Sequence, residues 1–551
     1  MVNKMDMEKN KEVTVDDILH ILGPFGKFNI LNTILILFPV LLAGMYSSVY
    51  NFEAMDLKYR CTVPDCSDPS IVNYSIPHGK DGEPSKCRRY APFTNVTGTN
   101  DTCSPHYYDT STEIECDSYV YFEEHSIVKE FNLGCQDWKR SLVGTVHNAG
   151  FFISIPLTGL ISDKFGRRLA VVFASVANGV FGVIRAFSLN YEMFIVLEFL
   201  EPALGGGVYT ACFVLAMELV GPKGRVFVSL LFNTMFIFGG VSVTMLSWWL
   251  QNWRYLLLII YTPAILTFFY IWVLTESFRW FFSKGKFDEG INVLKSSEKF
   301  NNVTVPKDHY DQVEKHAVRQ RDARKFESLE SNQSSVKQIF LSGLIWKRLF
   351  ICSFLWTSST LVYYGLSINA IELSGNSYLN YIVVILIEAP ANVCKLICLD
   401  RFGRKRVIAT AFVLTGVILI THRFVPGGNW ATAFYLGGKF FITLAYNSLY
   451  IFAAEVFPTN YRTTLLAICS TIGRIGSTIA PQTPLLSKYY VYLPTLLFGV
   501  MSAISGLIVM TLPETNNQEL PDSLKDAQAQ DKRGTGKKST DDKGTDNKTR
   551  L

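Results

Sequence analysis

Gly159-Leu160-Ile161-Ser162-Asp163-Lys164-Phe165-Gly166-Arg167-Arg168 is answered 237 residues later, aspartate to aspartate, by Asp400-Arg401-Phe402-Gly403-Arg404-Lys405-Arg406. In each copy a glycine allows a tight turn between two helices. An aspartate at a helix end beside arginines can then form a charge lock. Ordinary positive charge on a loop would account for one copy. Two copies in register point to a chain built from two similar halves.

Outward from both copies the sequence is apolar. A helix crosses a bilayer in about 20 residues, and twelve runs of that kind occur, at about 28–50, 142–162, 169–188, 192–216, 226–250, 255–275, 348–370, 379–399, 407–424, 430–454, 462–482 and 491–512. Of the 551 residues, 49% are hydrophobic and 18% charged, whereas soluble domains carry about 25% charged residues. Mean hydropathy is +0.20. A soluble enzyme, a coiled coil and a disordered chain are excluded, and a net charge of +5 spread over many loops indicates no nucleic-acid surface. Unpaired backbone groups are too costly in lipid for open strands. The predicted fold is therefore an all-α membrane protein of twelve transmembrane helices in two six-helix halves, residues 28–275 and 348–512, joined by a polar linker at 276–347.

Charge sets the orientation. Lys164, Arg167, Arg168, Lys223, Arg225, Arg401, Arg404, Lys405, Arg406 and Arg462 fall on short loops of one side; Arg254, Arg423 and Lys488 fall on the other. The positive-inside rule makes the first side cytoplasmic, with both termini there, in a multi-pass protein expected at the plasma membrane. Residues 1–27 hold no cleavable apolar core, so they are expected to remain as a cytoplasmic segment. The tail at 513–551 is polar, low in complexity and expected to be disordered. Residues 51–139 are then extracellular. They carry 8 basic against 15 acidic residues, the sequons at Asn73, Asn95 and Asn100, and six of the eleven cysteines: Cys61, Cys66, Cys87, Cys103, Cys116 and Cys135. An even number of cysteines in an oxidising compartment predicts three disulfides, among fifteen pairings.

Further motifs punctuate the cytoplasmic side: Glu218-Leu219-Val220-Gly221 with Arg225, Glu276-Ser277-Phe278-Arg279-Trp280, Ala454-Glu455-Val456-Phe457-Pro458-Thr459 with Arg462, and Leu512-Pro513-Glu514-Thr515. With the repeated lock (Asp163, Arg167, Arg168; Asp400, Arg404), this pattern resembles the major facilitator superfamily. The cysteine-rich first loop and the last motif make it similar to the organic cation, carnitine and organic anion transporter family. The sequence departs from that family at Phe278, where proline is usual, and at Glu198-Phe199-Leu200-Glu201-Pro202, where an arginine-led version is common.

A charge at mid-bilayer costs about 2.5 to 3.5 kcal/mol and usually faces a cavity or a partner. Glu198, Glu201, Glu388, Lys439 and Arg474 are the mid-span set, while Arg185 and Lys395 lie near span ends, where snorkelling is expected. Two-half carriers bind near the midplane between the halves. The resemblance implies substrate-cavity roles for Asn148, Phe151, Asn233, Phe236, Tyr363, Glu388, Lys439 and Asn447, and an arginine at position 474 resembles the anion and carnitine branches. A guanidinium holds a carboxylate with two hydrogen bonds, and aromatic walls suit bulky cations. No Gly-rich phosphate loop, His-Glu-x-x-His or Gly-x-Ser-x-Gly occurs, so no enzyme, cofactor or metal is expected. The expected function is polyspecific transport of organic cations or carnitine-like zwitterions by alternating access; the alternative is an organic anion exchanger. A small organic ion and the lipid bilayer are the expected partners, and a coupling ion or exchange substrate stays open.

Overall fold

The computed structural model describes residues 15–23, 26–63, 75–78, 84–93, 108–123, 125–221, 224–315, 318–319, 342–373, 375–425, 428–516, 518 and 521. Cys66, Cys103 and the three sequon asparagines fall outside these residues, as does nearly all of the tail.

The chain runs through α1 (Lys27–Glu53), α2 (Asp137–Phe165), α3 (Arg167–Ala186), α4 (Tyr191–Leu219), α5 (Arg225–Leu250), α6 (Trp253–Val273), α7 (Gly343–Asn369), α8 (Ser377–Phe402), α9 (Arg404–Thr421), α10 (Asn429–Val456), α11 (Arg462–Lys488) and α12 (Leu493–Val509). Among the described residues, nine of these are long and apolar enough to cross a membrane on those grounds alone. The other three have plain reasons for falling short. α12 has 17 residues, while α2 and α10 carry the buried polar residues His147, Asn148 and Lys439.

Local chemistry sets the ends and breaks. Asn190, Asn252 and Asn376 cap α4, α6 and α8, each side-chain oxygen accepting a backbone N–H one turn into the helix. Pro390 has no N–H to donate to the carbonyl of Leu386, and α8 is broken there, its second part starting at Glu388. Glu388 stands at that break.

Helices pair as α1 with α5, α2 with α4 and α3 with α6, then α7 with α11 and α9 with α12 and α10. Backbones approach closely at glycine. A Cβ at Gly44 would lie 2.3 Å from the Phe236 carbonyl oxygen, and one at Gly239 the same distance from that of Leu41, so α1 and α5 cross on small residues.

Two short antiparallel pairs, Tyr59–Cys61 with Tyr119–Tyr121 and Arg88–Pro92 with Tyr108–Glu115, make the folded part of the loop between α1 and α2. Cys61–Cys116 and Cys87–Cys135 tie it together. The end of the helix bundle under this loop is called the loop end below, and the opposite one the linker end. Among the contacts that join the two sets of six helices at the loop end are the Lys488–Asp137 ion pair, and hydrogen bonds from Asn51 to the Tyr381 hydroxyl (3.2 Å), from Gln482 to Thr145 (2.8 Å) and from Gln251 to the Tyr378 hydroxyl (3.4 Å).

Candidate substrate cavity and its charge clusters

At the linker end the two halves build the same device twice. The Arg167 guanidinium bonds to Asp163 (2.8 Å) and Glu218 (3.1 Å); Arg404 reaches Asp400 (3.4 Å) and Glu455 (3.4 Å). Each glutamate lies 51 residues beyond its arginine. A second carboxylate sits over each helix start. Glu276 accepts the N–H groups of Arg167 (2.9 Å) and Arg168 (3.1 Å), and Glu514 those of Arg404 (3.0 Å) and Lys405 (3.3 Å). An anion there meets the positive end of α3 or α9. The turn glycines make room for it. Gly166 and Gly403 have φ of +110° and +89°, and a Cβ on Gly166 would strike the Glu276 carboxylate at 2.2 Å. Burial raises the Glu276 carboxyl above the usual range, against the lowering by the N–H groups of Ser277, Arg168 and Arg167.

The remaining motif arginines do otherwise. Arg279 donates to the Glu218 carbonyl (3.2 Å) and Arg462 to the Phe457 carbonyl (3.4 Å) and Thr459 hydroxyl (3.1 Å), while Arg225 is in no ion pair among the described residues.

Between the halves lies a cavity lined by Phe236, Tyr363, Tyr364, Tyr381, Ser367 and Glu388, among others. Lys439, fully buried on α10, binds Glu388 at 2.9 Å, donates to Ser367 (2.7 Å) and the Tyr363 carbonyl (3.2 Å), and stands 3.4 Å from the Tyr363 ring centre. Glu388 and Lys439 therefore neutralise each other. Glu388, which the sequence resemblance places in the substrate cavity, lines it as one partner of this ion pair.

Arg474 differs. Its guanidinium lies 5.1 Å from the ring centre of Phe151 on α2, beside the tyrosines Tyr364, Tyr446 and Tyr450. Among the described residues it is in no ion pair. The amides serve their own surroundings: Asn148 bonds to the Gly144 carbonyl (2.8 Å), Asn233 to that of Ser229 (3.0 Å), and Asn447 to Asn392 (2.7 Å).

A second buried cluster sits inside the first six helices. Arg185 does not snorkel. It is fully buried and pairs with Glu53 (2.9 Å) and Glu198, because its position at the end of α3 points across the bundle toward α1 and α4 rather than to the surface. His147 bonds to Glu198 at 2.9 Å, and Glu201 lies 3.7 Å from it. Sequence reading missed Glu53, His147 and Tyr261 as members. Glu53 falls just beyond the first apolar run and reads as loop, whereas His147, a titratable group in the middle of an apolar run, was a visible signal.

Residues 91–523 match the family described as "Sugar (and other) transporter". Curated relatives include the organic cation transporter protein of Drosophila melanogaster, 29% identical over 93% of this chain and 94% of that one. The human organic cation/carnitine transporter 2 is 28% identical over 92% and 93%, and mouse solute carrier family 22 member 4 is 30% identical over 93% and 94%. Among solved structures, the inward open conformation of the xylose transporter XylE from E. coli superposes with a TM-score of 0.58 over 90% of this chain and 98% of that one, at 16% identity. That likeness is one of fold.

Proposed function

Since the chain belongs to the major facilitator superfamily, and within it to the organic cation, carnitine and organic anion transporter family, we propose that it carries organic ions bearing a carboxylate, anions or zwitterions, across the plasma membrane by alternating access. It is a transporter of the superfamily and not an enzyme. The observation that carries the substrate reading is the guanidinium of Arg474, in no ion pair among the described residues and beside Tyr364 of the cavity wall, while Glu388 of that wall is paired with Lys439. A planar fork in such surroundings holds a carboxylate with two charge-assisted bonds. The aromatic side chains that line the cavity, Phe236, Tyr363, Tyr364 and Tyr381 among them, would pack against the rest of the molecule, which makes for broad selectivity. The expected twelve spans, with the loop end outside and both termini in the cytoplasm, rest on the Lys and Arg asymmetry and are supported by the disulfides of the loop.

A carnitine-like zwitterion is favoured over a plain anion by the names of the relatives, and its ammonium would meet ring faces rather than Glu388. The test is uptake of tetraethylammonium, carnitine and an aromatic carboxylate, side by side, in cells expressing the chain. Carnitine or carboxylate uptake above that of mock cells is expected. Uptake of tetraethylammonium alone would overturn the reading.

The locks set the balance between outward- and inward-facing states in this mechanism. The Asp163 side chain is 77% exposed, so its bond to Arg167 is worth at most about 1 kcal/mol. Asp163→Asn is expected to change uptake velocity by less than about fivefold. Arg167 holds Glu218, Asp163 and the Ser162 carbonyl together, and Arg167→Ala should slow uptake by about tenfold or more. Velocities are compared at equal surface amount by biotinylation, and equal velocity for Arg167→Ala and wild type would refute the lock.

A further inference from the structure

Five helices send titratable side chains into one closed space near the loop end of the first half. Arg185 (α3) binds Glu53 (α1) and Glu198 (α4), and lies 3.6 Å from Glu201 (α4). His147 (α2) bonds to Glu198 at 2.9 Å, and Arg185 also donates to the Tyr261 hydroxyl (α6) at 3.1 Å. Tyr46 stacks on Tyr261, and Tyr50 packs on His147. Glu53, Glu198, Glu201, Arg185 and His147 are all 0–1% exposed.

Three carboxylates thus share one guanidinium. With the imidazole neutral, full ionisation leaves two uncompensated negative charges out of water, and buried groups in that position take up protons instead. The hydrogen bonding also leaves room for them. Oε2 of Glu201, Oε2 of Glu53 and Nε2 of His147 are buried without a hydrogen-bond partner. A metal cation is the wrong ligand, because Arg185 at the centre repels it, and among the described residues no group is arranged to hold one. A proton is the cation that fits.

The cluster adjoins the substrate cavity. His147 and Phe151 stand one turn apart on α2 with ring centres 5.8 Å apart, and Phe151 is the ring under Arg474. We infer that Glu53, His147, Glu198 and Glu201 form an exchangeable proton-binding site, and that a proton bound there travels with the carboxylate-bearing solute held at Arg474. This rests on the carrier reading above. In one cycle a proton joins a free oxygen of the cluster from one side of the membrane and leaves it to the other. Symport of one proton with a monovalent anion then moves no net charge.

Two measurements separate the site from its coupling. The first needs no solute: infrared spectra of the purified full chain across a pH series, wild type minus Glu201→Gln, with Glu53→Gln as the second variant. The expected difference contains the C=O stretch of a protonated carboxylic acid, lost toward alkaline pH. A difference holding only ionised carboxylate at every pH, for both variants, would overturn the site. The second is uptake of carnitine and the aromatic carboxylate into vesicles under an inward proton gradient. One coupled proton raises accumulation up to about tenfold for each unit of pH difference, and Glu201→Gln should abolish that gain while retaining surface expression. Wild-type uptake indifferent to the gradient would overturn the coupling. Absence of uptake for every probe would instead overturn the carrier reading, with the infrared result still deciding the proton site.

Discussion

Arg474→Asp is expected to abolish uptake of carnitine and of the aromatic carboxylate while leaving any tetraethylammonium uptake unchanged or raised. Arg474 lies on α11 and Phe151 on α2, so the contact between guanidinium and ring crosses the boundary between the halves, which opens and closes in the proposed alternating-access cycle. Beside it are the Phe151 ring and the hydroxyls of Tyr364, Tyr446 and Tyr450. These solvate a cation weakly, and a bound carboxylate would complete its hydrogen bonding. Each charge-assisted bond contributes about 1.5 to 3 kcal/mol, so losing a bidentate pair lowers carboxylate uptake by roughly a hundredfold or more. The aspartate then adds repulsion. Arg474→Lys keeps the charge but not the planar fork and should fall between the two. Arg474→Gln, milder for folding, should lose carboxylate uptake as well. The measurement is concentration-dependent uptake at equal surface amount, and carboxylate uptake indifferent to both Arg474→Asp and Arg474→Gln would make Arg474 a structural residue.

What could be read in the sequence followed from what repeats or has a fixed period. The aspartate, arginine and first glutamate of the lock recur at one offset, so Arg167 and Arg404 each find a glutamate 51 residues on, and Glu276 and Glu514 depart from that offset by a single residue. Span-length apolar runs made the helices legible. Polar contacts inside the bundle were not, because they depend on the rotation of helices far apart in sequence. Arg185 meets Glu53 across 132 residues, and Lys439 meets Ser367 across 72. Read singly, Glu388 and Lys439 look like two independent ligands, and Arg185 looks like a surface cation. The helix break beside Glu388 has a cause visible in the sequence, Pro390, but Pro39 and Pro156 lie inside helices that run unbroken, so the proline alone did not announce it. Cysteine pairing could not, since composition leaves fifteen choices open and only chain geometry selects Cys61–Cys116 and Cys87–Cys135.

Lys439→Met is expected to remove most of the folded protein from the cell surface, and Lys439→Met combined with Glu388→Gln to restore it. The lysine is fully buried and the Glu388 side chain only 10% exposed, with 2.9 Å between them. Removing the ammonium alone leaves a carboxylate without its counter-charge, which costs about 3 to 5 kcal/mol, comparable with the whole stability of many proteins. Replacing both by uncharged groups of similar volume removes that charge, so most of the loss is recovered. Glu388→Gln alone should be milder, because Lys439 keeps the Ser367 hydroxyl and the Tyr363 carbonyl as acceptors. Surface amount by biotinylation and melting of the detergent-solubilised protein measure the first effect. Uptake measures the second. If the pair serves mainly to cancel charge, the double variant carries carnitine or the aromatic carboxylate with a KM within a few-fold of wild type, since Arg474 still supplies the anchor. A double variant that folds and reaches the surface but no longer takes up either solute would place Glu388 or Lys439 in direct contact with the substrate, and the cavity would then bind through two charges rather than one.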